Sequence, residues 1–235
     1  MSAVLAFLTI LAAIAALWLS RQRLTAKPWL EVEPAGRVPD AAVSAWPAAK
    51  VGLGVFLAVV GSLFAILISA YSIRMRSADW ASLPQMRLLW LNTGVLVVSS
   101  VALQSAAIAA RRGQVENLGI GLAAGGVSAL VFLAGQLLVW RQLAAAGLFA
   151  AINPASAFFY LITAIHGLHL AGGLVALGRV MAQAWVLNGN AEKVRLSVDL
   201  CALYWHFLLV IWIIVFGIMA FGTWFEWLYA VCFGA

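Results

Sequence analysis

Charge is what this chain of 235 residues lacks most. Charged residues make up 9% of the sequence and hydrophobic residues 65%. The few charges fall almost entirely between long apolar runs and not inside them. Such a chain would aggregate in water, whereas a membrane span requires about 20 apolar residues to cross roughly 30 Å of hydrocarbon. The composition therefore predicts an integral membrane protein.

Short segments of alternating polarity, which form the strands of membrane barrels, are missing as well. The chain instead contains six apolar runs, and a backbone in lipid must satisfy its own hydrogen bonds, so we expect each run to be a helix. The expected fold class is all-α, a polytopic bundle of six transmembrane helices. The runs are Ala3–Leu19, Val51–Ile73, Leu88–Ala110, Leu118–Trp140, Ala155–Trp185 and Val198–Gly222.

The first run has a cleaved signal peptide as its alternative interpretation. No basic residue precedes it and no small-residue cleavage site ends it, whereas Arg21, Arg23 and Lys27 follow directly, so we expect an uncleaved helix. Four parts result: an N-terminal transmembrane helix in residues 1–20, a proline-rich cytoplasmic loop in 21–50, a five-helix bundle in 51–222 and a short outer-face tail in 223–235.

The distribution of basic residues predicts the orientation, because Lys and Arg favour the cytoplasmic side. Of the 14 basic residues, ten fall in or near the odd-numbered loops and four in the even-numbered ones. Both termini are therefore expected on the periplasmic side. The net charge of +6 follows from this topology. No concentrated basic surface suggests binding to nucleic acid.

Cysteine is scarce, with two residues in the chain. Cys201 begins the last run at its inner end, and Cys232 lies past the outer end. A continuous helix would separate them by about 45 Å, while a disulfide needs roughly 6 Å between Cα atoms. We expect no disulfide between them.

Carboxylates are absent from the middle of every run. A proton pump or ion carrier normally needs one in its path. Paired, broken half-helices in matching halves, typical of secondary transporters, are also missing. Both absences argue against a small transporter, which uptake assays would test.

Away from the ends of the runs, no Asp, Glu, Lys or Arg lies deep in a span, and three histidines do: His166, His169 and His206. The favoured interpretation is hydrogen bonding across helices or to lipid headgroups and water. Haem ligation by two of them is an alternative, although the boundaries put His169 roughly 22 Å and His206 roughly 12 Å from the inner face. A zinc or copper site is another alternative, with no carboxylate or thiolate beside the histidines to support it.

Other polar and small residues in the spans fit helix packing. Polar side chains bond helix to helix, and glycines allow close approach of backbones. The residues expected in this role are Asn92, Thr93, Ser100, Gln104, Gln136, Gly121, Gly125 and Gly173.

Four stretches then resemble a known family. They are KVGLGVFLAVVGSLFAILISAY from Lys50, LPQMRLLWLNTGVLVVSSVALQSA from Leu83, FLAGQLLVWRQLAAAG with FFYLITAIHGLHLAGG in the fourth and fifth runs, and YWHFLLVIWIIVF from Tyr204. In these stretches, over nearly all of residues 50–222, the chain resembles subunit III of the haem-copper oxidases, a family of cytochrome c and quinol oxidases. The pair His-Gly-x-His and Tyr-Trp-His-Phe, in that order, is the most specific part.

The resemblance implies a non-catalytic subunit with no catalytic residue and no metal of its own. Haem and copper would belong to partner chains, with subunit I as the main partner and subunit II in the complex. Bound phospholipid and support of proton uptake are implied too. The extra first helix suggests a divergent bacterial branch, and hence the bacterial inner membrane.

Two positions depart from the family pattern. Val60 stands where the second-run pattern usually has a carboxylate, and Leu209 stands where the family often has Asp after Tyr-Trp-His-Phe-Val. Titration or hydrogen bonding by those acids is therefore impossible at these positions.

Two alternative functions remain open. One is a partner of a nitric oxide reductase, and the other is a membrane cytochrome with histidine ligands. For lipid contacts and interhelical polar contacts, the expected residues are His166, His169, His206, Tyr204, Trp205, Arg111, Arg112, Lys193 and Arg195.

Overall fold

The computed structural model describes residues 48–81, 83–84, 87–186 and 191–220. The described residues from Ala49 onward belong to one compact unit. Every regular element in the described residues is an α-helix. The helices are α1 (Ala48–Arg74), α2 (Arg87–Arg111), α3 (Val115–Ala145), α4 (Pro154–Val186) and α5 (Ala191–Ala220).

These five helices correspond to the second through sixth apolar runs, and each is long and apolar enough to cross a membrane. The all-α class and the multi-pass membrane character are confirmed. The count of six is not matched, because five helices are found and the first run, Ala3–Leu19, lies outside the described residues. The tail 223–235 and Cys232 also lie outside them.

The helices extend beyond the apolar runs from which they were predicted. Helix α4 has 33 residues, about 50 Å, which is more than the hydrocarbon thickness. The charge distribution put Lys193 and Arg195 in the loop between the fifth and sixth runs. That prediction is wrong, because α5 begins at Ala191, seven residues before the predicted Val198, and both residues are helical. Polar residues at a span's end continue the helix into the headgroup region, where hydropathy no longer marks it.

Short connections make α2 and α3, and then α3 and α4, antiparallel neighbours. Gly113 (φ 71°) and Gly147 (φ 76°) adopt the left-handed conformation that ends α2 and α3. Asn153 then caps α4, since its Oδ1 accepts from the Ala155 amide at 3.0 Å, while its Nδ2 donates to the Ala81 carbonyl at 2.6 Å. This side chain joins the start of α4 to the segment before α2.

The closest packing lies between α2 and α3, where small residues face one another. A Cβ added at Gly121 would lie 2.9 Å from Ala106 Cβ and 3.0 Å from the Ala102 carbonyl oxygen. A Cβ at Gly125 would meet the Leu103 side chain at 2.7 Å. Close approach of backbones is the usual source of helix association in lipid, where burial of apolar surface provides no driving force.

Helix α1 packs differently, through long side chains. Its buried side chains are Val60, Phe64 and Tyr71, in a cluster with Ile162 of α4 and Ile211 of α5. Most of its other residues are exposed, as expected for a surface that faces lipid. Because α1 packs through large side chains, space remains beside it. The glycine contacts between α2 and α3, which we call the α2–α3 seam, leave no such space.

One contact outside the spans is strongly polar. Arg74 donates both terminal guanidinium nitrogens to the two carboxylate oxygens of Asp79, at 2.9 and 2.5 Å. Hydrogen bonds from Ser77 and Arg74 hold the pKa of Asp79 below its usual value. Because the pKa is lowered on folding, this contact stabilises the fold above the normal carboxyl range and is lost as the pH falls through the folded value.

We predict that Gly121→Ala destabilises the bundle by about 1–3 kcal/mol, since the added methyl would overlap the α2 backbone. The matched control is Gly94→Ala on α2, where a Cβ meets nothing within 4 Å. Thermal unfolding in nanodiscs measures both variants. Equal midpoints for the two variants would show that the seam does not determine stability.

Candidate functional site

His206 joins α5 to α2 through both of its ring nitrogens. Its Nδ1 lies 2.5 Å from Ser100 Oγ, and its Nε2 lies 2.9 Å from Gln104 Oε1. An amide oxygen only accepts, so Nε2 carries the hydrogen and donates to Gln104, while the Ser100 hydroxyl donates to Nδ1. Both ring nitrogens are thus engaged with α2, and neither is free for another ligand.

Two tryptophans extend this connection along α5. Trp205 Nε1 donates to Ser99 Oγ, and Trp212 Nε1 donates to Thr93 Oγ1, each at 3.0 Å. Ser99 in turn donates to the Gly125 carbonyl of α3 at 2.7 Å. We call the set of bonds that Trp205, His206 and Trp212 make to α2 the polar ladder. Its bonds join two turns of α5 to three turns of α2.

Tyr204 makes the matching connection from α5 to α4. Its hydroxyl donates to the His169 carbonyl at 2.8 Å, and His169 Nδ1 donates to the Ile165 carbonyl at 2.8 Å. Gly173 permits this approach, because a Cβ there would lie 2.7 Å from Tyr204 and 2.9 Å from Trp205. The glycine has a packing role against the two aromatic rings of α5.

A groove of about 780 Å³ opens between α1, α4 and α5. Phe56 of α1, His169 and Gly172 of α4, and Cys201 and Tyr204 of α5 are among its lining residues, and the lining is mostly apolar. The volume falls within the roughly 300–1,000 Å³ range of ligand sites. His169 is the histidine that lines this groove.

His166 lies about one turn before His169 on α4, in an aromatic box. The box consists of Phe64, Phe132 and Trp212, with ring centroids 6.3, 5.8 and 5.0 Å from that of the imidazole. The side chain is 1% exposed. The Phe64 ring also lies 5.8 Å from that of His169, so these two histidines share one aromatic neighbour, whereas His206 bonds to α2.

Near the start of α2, polar side chains connect α2, α3 and α4. Asn92 Nδ2 lies 3.5 Å from Gln136 Oε1, a long contact between two buried side chains. Trp140 Nε1 donates to Thr163 Oγ1 at 3.1 Å. Together with the polar ladder, these bonds give each of α2 to α5 at least one polar connection to a neighbour.

Four basic residues near the end of α2 and the start of α5 are expected to contact lipid, and one of them has an acidic partner. Arg111 donates two guanidinium nitrogens to Asp199 Oδ1, at 3.2 and 3.0 Å. Arg112, Lys193 and Arg195 are exposed and form no ion pair with a residue that the structure describes. These three cations are available to solvent or to anionic headgroups.

Two of the three histidines have ring nitrogens that are already bonded to protein groups. His206 uses both ring nitrogens on α2, and His169 uses one on its own helix. Within the described ranges, no three His, Cys, Asp or Glu side chains form a group that could hold an ion.

Four residues that make these contacts were not among the predicted site residues: Ser99, Asp199, Phe64 and Trp212. Trp212 could have been predicted from the sequence, because a tryptophan in the middle of a span needs a hydrogen-bond partner for its N–H. Ser99 was visible as a polar residue, but its own helix gives no indication that Trp205 and Gly125 meet there. The pairing of Asp199 with Arg111 depends on residues 88 positions apart.

A double-mutant cycle on His206→Leu and Gln104→Leu tests the polar ladder. We predict that each single variant lowers stability and that the coupling free energy is about 0.6 kcal/mol, with about 1.7 as the upper bound for such bonds in a membrane protein. Chemical unfolding in mixed micelles gives the four values. Strict additivity would contradict a direct bond between the two side chains.

Comparison with known families matches residues 73–225 to the family described as cytochrome c oxidase subunit III. The match contains all three histidines and the polar ladder. It begins near the end of α1, so most of that helix lies outside the match, although we expected the resemblance to begin at Lys50.

Curated relatives carry similar names. The chain is 30% identical over 129 residues to the "Probable cytochrome c oxidase subunit 3" of Mycobacterium tuberculosis, covering 55% of this chain and 63% of that relative. It is 30% identical over 173 residues to the "Cytochrome c oxidase subunit 3" of Thermostichus vulcanus, covering 72% and 84%. It is 30% identical over 132 residues to the "Cytochrome bo(3) ubiquinol oxidase subunit 3" of Pseudomonas aeruginosa, covering 55% and 61%. The chain spans less than two thirds of the mycobacterial relative's length.

Proposed function

This chain belongs to the cytochrome c oxidase subunit III family, and from that premise we propose that it is a non-catalytic accessory subunit of a respiratory haem-copper terminal oxidase. Its role is to stabilise subunit I, in a complex that also contains subunit II, during oxygen reduction. Haem and copper belong to those partner chains.

One observation carries this proposal: most polar side chains inside the bundle are engaged with neighbouring helices. His206, Trp205 and Trp212 bond to α2, and Tyr204 bonds to the α4 backbone. A catalytic group or a proton relay needs a titratable group that is open to substrate or water. Groups committed to interhelical bonds are instead suited to a rigid supporting subunit.

We propose the orientation that the basic residues favour, in the bacterial inner membrane. The end of α2, with Arg111 and Arg112, and the start of α5, with Lys193 and Arg195, become the cytoplasmic end, whereas Arg74 ends α1 on the opposite side. The run Ala3–Leu19 is proposed as a sixth span, which puts both termini in the periplasm.

We propose that the groove between α1, α4 and α5 holds phospholipid. Its apolar lining suits acyl chains, and its inner end is formed by Val180 and Ser197, near the first turns of α5. Exposed Arg112, Lys193 and Arg195 supply cations on that side, each worth about 1 kcal/mol toward an anionic leaflet. Lipid and bundle together would order the membrane beside the proton entry of subunit I and so support proton uptake.

Co-purification tests the accessory role. We predict that the tagged chain, extracted from native membranes in mild detergent, brings with it a haem-bearing oxidase subunit I, identified by mass spectrometry and by its optical spectrum. His169→Ala should lower the yield of this complex while the haem spectrum of the remaining complex is unchanged.

A chain recovered alone, or together with nitric oxide reductase subunits, would contradict the oxidase assignment. Loss of the haem signal from an otherwise assembled His169→Ala complex would favour a histidine-ligated cytochrome instead.

A second prediction tests the lipid groove. Gly172 lines the groove, and a Cβ there meets nothing within 4 Å, so Gly172→Leu should fill the groove without disturbing the helices. We expect fewer phospholipids per purified complex, counted by native mass spectrometry. Gly178→Leu is the matched control, since Gly178 is equally open on α4 but does not line the groove. Equal lipid counts in the two variants would argue against this site.

A further inference from the structure

Three buried side-chain nitrogens in the described residues have no hydrogen-bond partner: both ring nitrogens of His166 and Nε2 of Gln136. His166 is 1% exposed and Gln136 4% exposed. Buried polar groups without a partner are rare, because each loses its bonds to water and gains none in return. Two such side chains in one part of a bundle therefore point to a ligand that bonds to both.

The two side chains lie about one helical turn apart in depth, as two contacts between the antiparallel α3 and α4 indicate. Phe132 packs against His166, and Trp140 bonds to Thr163. Gln136 stands midway between Phe132 and Trp140, about 6 Å along α3 from the level of His166, in the direction of Thr163. A single small molecule spans a separation of that order.

The side chains around His166 and Gln136 limit what the ligand can be. Gln136 Oε1 already faces Asn92, which leaves the amide nitrogen as the free donor. Phe64, Phe132 and Trp212 surround His166 with apolar ring surface and supply no charge. A small, neutral molecule that both donates and accepts fits these groups, and water is the smallest that does.

We propose that Gln136 and His166 form a buried water site inside the bundle. One water molecule accepts a hydrogen bond from Gln136 Nε2 and donates one to the unprotonated ring nitrogen of His166. The other ring nitrogen, which carries the hydrogen of the neutral imidazole, donates to a second water molecule. Buried waters typically make about three hydrogen bonds to groups of this kind.

The site would connect α3 to α4 at a level where no direct side-chain bond between the two helices is present in the described residues. It does not depend on the proposed function, since its ligand is water and its walls belong to this chain alone. His169, three residues further along α4, lines the lipid groove and is not part of the site.

Water-edited solid-state NMR of the full chain, labelled with ¹⁵N-histidine in nanodiscs, tests the proposal directly. We expect magnetisation transfer from water to the His166 ring nitrogens, with the signal assigned by its loss in His166→Leu. His206 is the internal control, because Ser100 and Gln104 occupy both of its nitrogens. Transfer to His166 that is no faster than transfer to His206 would overturn the proposal.

Thermal unfolding gives an independent measurement on His166→Leu, Gln136→Leu and the double variant. With water bridging the pair, each single variant lowers the midpoint, and the double variant lowers it by less than the sum of the two. Removal of a polar group that has no ligand would instead leave each midpoint unchanged or raise it, and that result would count against the water site.

Discussion

The polar ladder between α5 and α2 rests on a constraint that hydrocarbon imposes on every buried polar group. Water is not available to the imidazole of His206 or to the indole nitrogens of Trp205 and Trp212, so each must find its partner on another helix. Ser99, Ser100 and Thr93 provide those partners, among others. The register of α5 against α2 follows, because a shift by one residue would break several of these bonds together.

Glycine and aromatic residues divide the remaining packing between close and distant contacts. Gly121 and Gly125 bring α3 against α2, and Gly173 lets the rings of Tyr204 and Trp205 approach α4. Helix α1 is held by long side chains such as Phe64, and the groove lies beside it. The same bundle therefore combines a tightly packed seam with a space suited to an acyl chain.

The two departures from the family pattern fit this apolar arrangement. Val60 is 3% exposed and packs beside Phe64 in the cluster that holds α1. Leu209 is partly buried and packs against the main core. An aliphatic side chain at these positions adds packing and needs no partner, whereas a carboxylate would need one.

Hydropathy alone was sufficient for the all-α class, the five described spans and the membrane location, because the cost of burying charge in lipid acts on each segment independently. Helix ends were predicted less well: Lys193 and Arg195 are helical, since the helix continues past the hydrocarbon where the apolar signal stops. Tertiary structure alone decided the partners, such as Ser100 for His206 and Asp199 for Arg111. A side chain's own helix limits its face and depth, but which residue meets it depends on how close the neighbouring backbones come and how the helices are rotated.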